Sequence, residues 1–209
     1  MKLDFFSDTH KKHHKLTFNG GEILFFCGDL SSRGSLNDIK KFAEFVSKLP
    51  YLYKVIIAGN HDFCFENELK SDAEKLFLDN GLIYLNDQSI SLLGLNIHGS
   101  PITPWFHDWA FNRQRGDAIK QHWELIPEQT DILITHGPPF GILDRCYHGE
   151  QVGCVDLLNR VLHVKPKIHA FGHIHEQYGV IEREGIKFIN ACNLNESYQV
   201  VNPVVEILI

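Results

Sequence analysis

The sequence predicts an α/β fold. Short apolar runs alternate along it with helix-like segments, and several of the runs end abruptly in polar residues. The runs ILFF, VIIA and ILIT are hydrophobic without interruption, which fits strands covered on both faces rather than strands with one wet side.

In chain order, the predicted strands are Lys2 to Ser7, Glu22 to Cys27, Lys54 to Ala58, Asp131 to Thr135, Lys167 to Phe171, Lys187 to Ala191 and Val204 to Leu208. Between Leu82 and Ser100, two more extended segments, punctuated by Asp87-Gln88 and by Gly94, predict an antiparallel meander. The helices fall between the strands. Ser35 followed by Asp38 resembles a capping box, and Leu36, Ile39, Phe42, Ala43 and Val46 share one face before Pro50 stops the segment. A second helix is expected from Ser71, with Glu74 as box partner, to Gly81. A third spans Asp117 to Trp123. A fourth, Gly153 to His163, would turn Val155, Leu158 and Leu162 inward and end before Pro166. No linker, repeat or low-complexity tract interrupts the pattern, so residues 1–209 are read as one domain.

Composition narrows the class. Hydrophobic residues at 44% and charged residues at 22% exclude a disordered or fibrous chain. No apolar stretch approaches the ~18 residues a membrane span requires, and MKLDFFSDTH lacks a signal-peptide layout; the expectation is a cytoplasmic protein without a membrane. Five scattered cysteines without a CxxC pair suggest neither a disulfide framework nor a thiolate zinc site. A net charge of −6 argues against a general nucleic-acid-gripping surface. Thirteen histidines, by contrast, direct attention to metal chemistry.

Polar residues gather where the predicted strands end. Asp8 and His10 follow the first, Asp29 the second, Asn60 and His61 the third, while His136 and the pair His173/His175 follow later ones. In an open α/β sheet the loops beyond the carboxyl ends of the strands form the ligand crevice, so these clusters converge on one rim. Their oxygen and nitrogen donors suit a divalent first-row ion such as Mn, Fe, Zn or Co. In DTH and HIH, the i, i+2 spacing lets both outer side chains serve one site.

Taken in order, SDTH (7–10), GDL (28–30), GNHD (59–62), THG (135–137) and GHIH (172–175) resemble the calcineurin-like metallophosphoesterases. The stretches GSPITPWFHDWAFNRQRG, DILITHGPPFGILD and VGCVDLL are further similar to the metallophosphoesterase-domain-containing subfamily, a group associated with phosphodiesterase activity, including on cyclic nucleotides. The resemblance implies a four-layer α/β sandwich of two mixed sheets flanked by helices. It implies two divalent metal ions, with manganese expected to activate in vitro. One ion takes Asp8, His10, Asp29 and His175; the other takes Asp29, Asn60, His136 and His173, so that Asp29 bridges them. His61 is a non-ligand that stabilises charge or protonates the leaving group, and Asp62 is expected to orient its ring. Arg33 stands where phosphoprotein phosphatases hold phosphate in GDxxDRG, but Ser32 replaces the second aspartate. Arg33 is kept as a candidate phosphate contact.

Two such ions, ~3.5 Å apart, activate a water in line with the leaving oxygen. Four positive charges against Asp8 and Asp29 leave room for one hydroxide and one diester monoanion. A small phosphodiester, with 2′,3′- or 3′,5′-cyclic nucleotides as candidates, is therefore the expected substrate. A phosphomonoesterase or nuclease of the same superfamily is the alternative, and a non-catalytic scaffold a more distant one. Trp105, Trp109 and Phe111 are read as core or loop anchors in preference to a base-stacking platform. Arg113, Arg115 and the run from Lys11 to Lys15 are read as solvated, and His169 as a self-satisfied core residue.

Overall fold

Two adjacent phenylalanines in β1 (Lys2–Phe6) show how this chain is layered. Phe5 turns to one face and stacks on Phe25 with ring centroids 4.9 Å apart, while Phe6 turns to the other and meets Phe26 and Phe42. In the computed structural model, which describes residues 1–209, both faces of the strand are buried, as its unbroken hydrophobicity requires.

The first sheet has the order β13-β1-β2-β3-β4, built from β2 (Gly21–Cys27), β3 (Tyr51–Ile57), β4 (Ile83–Tyr84) and β13 (Val205–Leu208); only β13 runs antiparallel to its neighbour. The second has the order β11-β12-β10-β9-β6-β5, from β5 (Gln88–Leu92), β6 (Leu95–Ser100), β9 (Ile132–Thr135), β10 (Ile168–Phe171), β11 (Gly179–Arg183) and β12 (Ile186–Asn190), with antiparallel pairs at both edges. Phe5, Phe25, Ile57, Ile97, Ile134 and Ile189 belong to the core between the sheets. On the outer faces, Phe6, Leu24, Phe26 and Ile56 join the cluster that contains Phe42 of α1 (Leu36–Ser47) and Phe77 of α2 (Lys70–Asp79). Leu133, Phe171 and Phe188 join the cluster containing Trp123 of α3 (Asp117–Trp123) and Val161 of α4 (Val155–Val164). The result is the expected four-layer sandwich of two mixed sheets flanked by helices. A two-residue pair, β7 (Thr103–Pro104) with β8 (Asn112–Arg113), stands apart from both sheets.

All seven predicted strands form, and α1 is capped as expected: Ser35 Oγ accepts from the Asp38 amide at 3.2 Å. Three expectations change. The helix α2 starts at Lys70 from an Asn67–Leu69 turn, so the Ser71–Glu74 capping box does not form. In α4 the buried stripe is Leu157, Val161 and Val164, while Val155 is 46% exposed and Leu158 and Leu162 are half-buried, because VDLLNRVLHV carries two apolar stripes a fraction of a turn apart. The segments between Leu82 and Ser100 do not make a meander. β4 pairs in parallel with β3 in the first sheet, Asp87 takes a left-handed backbone (φ 52°), and only β5 and β6 form a hairpin, in the second sheet.

His169 is fully buried in β10, as expected, with Nε2 2.9 Å from Thr135 Oγ1, but its buried Nδ1 has no partner, so the ring is not fully satisfied. Burial pushes its pKa down to about 3, and burial also holds His13, beside His14, and His98, against the opposing charge of Asp87, at about 4. These imidazoles stay neutral in the folded chain but protonate near pH 6.5 once unfolded. The unfolded state therefore gains protons first, and stability falls as pH drops from 6.5 towards 4. Each contributes a loss of about 2 kcal/mol between pH 7 and 5. Thermal melts at the two pH values should show this as a clear drop in Tm, and His169→Asn should make the drop smaller; equal Tm values at both would refute it.

Candidate metal centre

Asp8 and His10 leave β1, Asp29 leaves β2, Asn60 and His61 leave β3, His136 leaves β9, and His173 and His175 leave β10. Five loops thus converge on one rim, at the carboxyl ends of strands from both sheets. The turns are abrupt. Asp8, His10, Asp29 and His173 all have positive φ (53°, 39°, 63° and 69°), a conformation that costs a side-chain-bearing residue about 1–3 kcal/mol.

Hydrogen bonds hold these turns. Asp8 Oδ2 accepts from Ser7 Oγ at 2.5 Å, the His173 amide at 2.9 Å and Cys192 Sγ at 3.1 Å. Asp29 Oδ1 accepts from the His61 amide at 2.8 Å. Close approach also explains two motif glycines. A Cβ on Gly59 would collide with the Asp29 carboxylate and amide, and one on Gly172 with the Asp8 carboxylate and Ser7.

The remaining atoms face inward. Three sets of donors lie within 4.8 Å of one another: Asp8, His10 and His175; Asp29, His136 and His173; and His10, Asp29 and His61. Asp29 Oδ2 lies 3.4 Å from His136 Nε2, 3.8 Å from His10 Nε2 and 3.9 Å from His61 Nε2. Asn60 Oδ1 is 2.8 Å from His136 Nε2. The outer nitrogens of four imidazoles are tied to backbone carbonyls: His10 Nδ1 to Ser31 at 3.0 Å, His61 to Ser32 at 2.9 Å, His136 to Cys27 at 2.8 Å and His175 to Asn195 at 3.1 Å. Donation from Nδ1 directs each Nε2 lone pair into the centre, the arrangement that metal-ligating histidines adopt. Asp8 Oδ1 and His10 Nε2 are buried there with no hydrogen-bond partner, so the donor set fits divalent ions.

Electrostatics agree. Burial alone would raise both carboxyl pKa values, but His175, His136 and His10 around Asp8, and His136, His10 and His61 around Asp29, hold them far below the usual range. Burial disfavours charge on His136 and His175, yet Asp29 for the first and Asp8 for the second carry each to about 9. His173, by contrast, falls to about 4 through burial and the neighbouring His136 charge.

Asp62 does not orient His61. Its fully buried carboxylate accepts from the amides of Asp29 (3.0 Å), Leu30 (3.3 Å), Ser31 (3.0 Å) and Gly59 (2.9 Å), and from Ser31 Oγ (2.8 Å), while the Ser32 carbonyl fixes the His61 ring. Burial and the Asp29 charge raise its pKa to about 6, and the five donors keep it ionised at neutral pH.

Arg33 is exposed, with its guanidinium carbon 5.3 Å from the Trp109 ring centroid, and Trp109 packs 4.3 Å from the His61 ring. Phe111 is buried as expected, but Trp105 is exposed rather than an anchor. Arg113 pairs with Glu66 at 2.8 Å and Arg115 donates to the Val152 and Gly153 carbonyls, so neither is simply solvated. In the basic run, His13 is buried and Lys12 Nζ donates to the Tyr198 carbonyl. Tyr198 itself, its ring 4.9 Å from His10 and 5.3 Å from His175, escapes sequence reasoning because it belongs to no motif.

A four-layer sandwich that gathers aspartates, an asparagine and histidines at its strand ends is the framework of a metal-using phosphoesterase. Residues 1–177 match the calcineurin-like phosphoesterase family, and the chain belongs to it. Members of this family use divalent metal ions, and this chain is a phosphoesterase hydrolase. Metallophosphoesterase domain-containing protein 1 of Homo sapiens is 42% identical over 94% of this chain and 67% of its own length. UPF0046 protein T07D4.2 of Caenorhabditis elegans is 39% identical over 88% of this chain and 54% of its own. Among solved structures, TT1561 of Thermus thermophilus superposes with a TM-score of 0.64 over 90% of this chain and 88% of its own at 13% identity, a likeness of fold.

Replacing Asp62 by Ala strands four amides and a hydroxyl in the interior. The expected destabilisation is about 3–5 kcal/mol, or roughly 10 °C in Tm. A thermal melt of the variant checks this, and an unchanged Tm would contradict the clamp.

Proposed function

We propose that this protein hydrolyses small phosphodiesters with two divalent first-row metal ions. Asp8, His10, Asp29 and His175 would hold one ion, and Asp29, Asn60, His136 and His173 the other. The observation that carries the reading is the position of Asp29, whose Oδ2 faces imidazoles of both donor sets. Bound there, the ions would supply the Lewis acidity that neutralises the phosphate and activates a water.

The chain's own residues do the rest. His61, with Nδ1 on the Ser32 carbonyl, turns Nε2 towards the centre from the rim, where its side chain keeps 17% exposure against 5% for His10. It is therefore the imidazole placed to meet substrate and to pass a proton to the leaving oxygen. Arg33, beside Trp109, supports a phosphate contact on the same side. The acidic balance of the chain favours a small substrate over a nucleic-acid polymer. No helix is long and apolar enough to cross a membrane, and all five cysteines are unpaired, which supports a place in the reducing cytoplasm.

Metal analysis with a substrate panel tests the reading. Manganese-loaded protein should cleave cyclic nucleotides or bis-p-nitrophenyl phosphate faster than p-nitrophenyl phosphate or single-stranded DNA. Protein that binds no metal, or binds two ions and cleaves none of these, would refute it.

Two variants separate the roles. Asp29→Asn should lower occupancy of both metal positions, as read by elemental analysis. His61→Ala should keep the metals and lose about 10²–10⁴-fold in kcat; loss of metal from His61→Ala would instead make His61 a ligand.

A further inference from the structure

Beside His173 and His175 lies a cavity of about 370 Å³, within the ~300–1,000 Å³ range of small-molecule sites. Trp105 and Phe106 form one wall and are 48% and 62% exposed, unusual for rings of this size. They are held in place. The Trp105 amide donates to the Arg113 carbonyl at 2.8 Å and Nε1 donates to Asp108 at 3.3 Å, while the Phe106 amide donates to Asn112 Oδ1 at 2.9 Å. Pro138 and Tyr198 continue the apolar lining. An indole held at both its amide and its Nε1, open to solvent at the mouth of a catalytic centre, suits a flat partner, because little conformational entropy is lost when one covers it.

The charged groups of the cavity define that partner further. Glu176 and Glu196 lie on its lining. Arg115 lies there too, but its guanidinium already donates to the carbonyls of Gly153 at 2.8 Å and Val152 at 2.7 Å. Glu176 Oε1 accepts from the Tyr147 amide at 3.0 Å, and Glu196 makes no ion pair. Two carboxylates against one guanidinium that is already partly committed give the lining a negative balance, and Glu196 leaves an acceptor open to a donor-bearing partner.

We propose that this cavity receives the organic group of the substrate and selects a flat aromatic group that is neutral or cationic and carries hydrogen-bond donors, rejecting one that bears a second anion. The proposal rests on the phosphodiesterase reading but is tested apart from it.

The test is calorimetric titration of manganese-loaded protein with four phosphonates that cannot be hydrolysed: methyl-, phenyl-, 3-(aminomethyl)phenyl- and 3-carboxyphenylphosphonate. Phenyl should bind about tenfold or more tighter than methyl, and aminomethylphenyl about tenfold tighter than carboxyphenyl. Trp105→Ala should bring the phenyl-to-methyl ratio to within about threefold of unity, and the double change Glu176→Gln with Glu196→Gln should do the same to the amine-to-carboxylate ratio. Each ratio is taken within one protein, so a partly unfolded or underloaded variant does not distort it. Equal affinities for phenyl and methyl, a preference for the carboxylate, unchanged ratios in the variants, or no binding of any phosphonate would each overturn the proposal. Failure of the diester panel would sink the phosphodiesterase reading while leaving these affinities to decide the cavity.

Discussion

The centre depends on one buried carboxylate that touches no reacting group. Asp62, from the loop after β3, accepts from four amides and a hydroxyl that belong to the loops after β2 and β3. Those bonds fix the backbone on either side of Asp29, which turns into the left-handed region (φ 63°) and presents its carboxylate to the histidines. The amide of the neighbouring residue in the β3 loop, His61, then donates to Asp29 Oδ1. One acid positions another, and the second organises the imidazoles.

A clamp of this kind works only on a rigid support. The loops spring from strands whose two faces are both buried, Phe5 and Phe25 towards the other sheet and Phe6 and Phe26 towards α1. Strand β1 cannot slip against β2 by one residue without exchanging its inter-sheet face for its helix face. The register Phe5 with Phe25 and Phe6 with Phe26 therefore carries Asp8 and Asp29 to a fixed separation. The left-handed turns at Asp8, Asp29 and His173 draw on the stability of that packing, and they sit where chemistry needs an unusual side-chain direction.

Much of this was legible in the sequence, and the limits have physical causes. The strands were plain because burial on both faces leaves continuous apolar runs. The gathering of Asp8, His10, Asp29, Asn60, His136, His173 and His175 at one rim was plain because each follows such a run, whereas the close approach of a carboxylate to Gly59 and Gly172 is visible only in the fold. The strand β11 was not, since its residues are mostly exposed and show no alternation. The inward face of α4 was misjudged because both candidate stripes are apolar. The partner of Asp62 was hidden for another reason. Adjacency to His61 in GNHD suggested a side-chain contact, whereas the carboxylate turns away towards backbone amides some 30 residues earlier, a contact only the fold creates.

Net charge proved a poor guide to the rim for the same reason. The chain is acidic overall, but Lys11 and Lys12 lie beside His10, Ser32, His61 and Tyr198 on one side of the centre, and Glu176 and Glu196 beside the aromatic cavity on the other. Tyr198 lines both depressions and packs against His10 and His175, so it divides them. Charges this close to a low-dielectric cleft act over a few ångströms, inside the ~8 Å screening length of physiological salt, whereas the molecule's total charge acts mainly beyond it. Within the cleft, the local polarity across Tyr198 therefore outweighs the acidic total. It makes the two sides of the centre chemically unequal, although the donor sets on which they border are built from the same residue types.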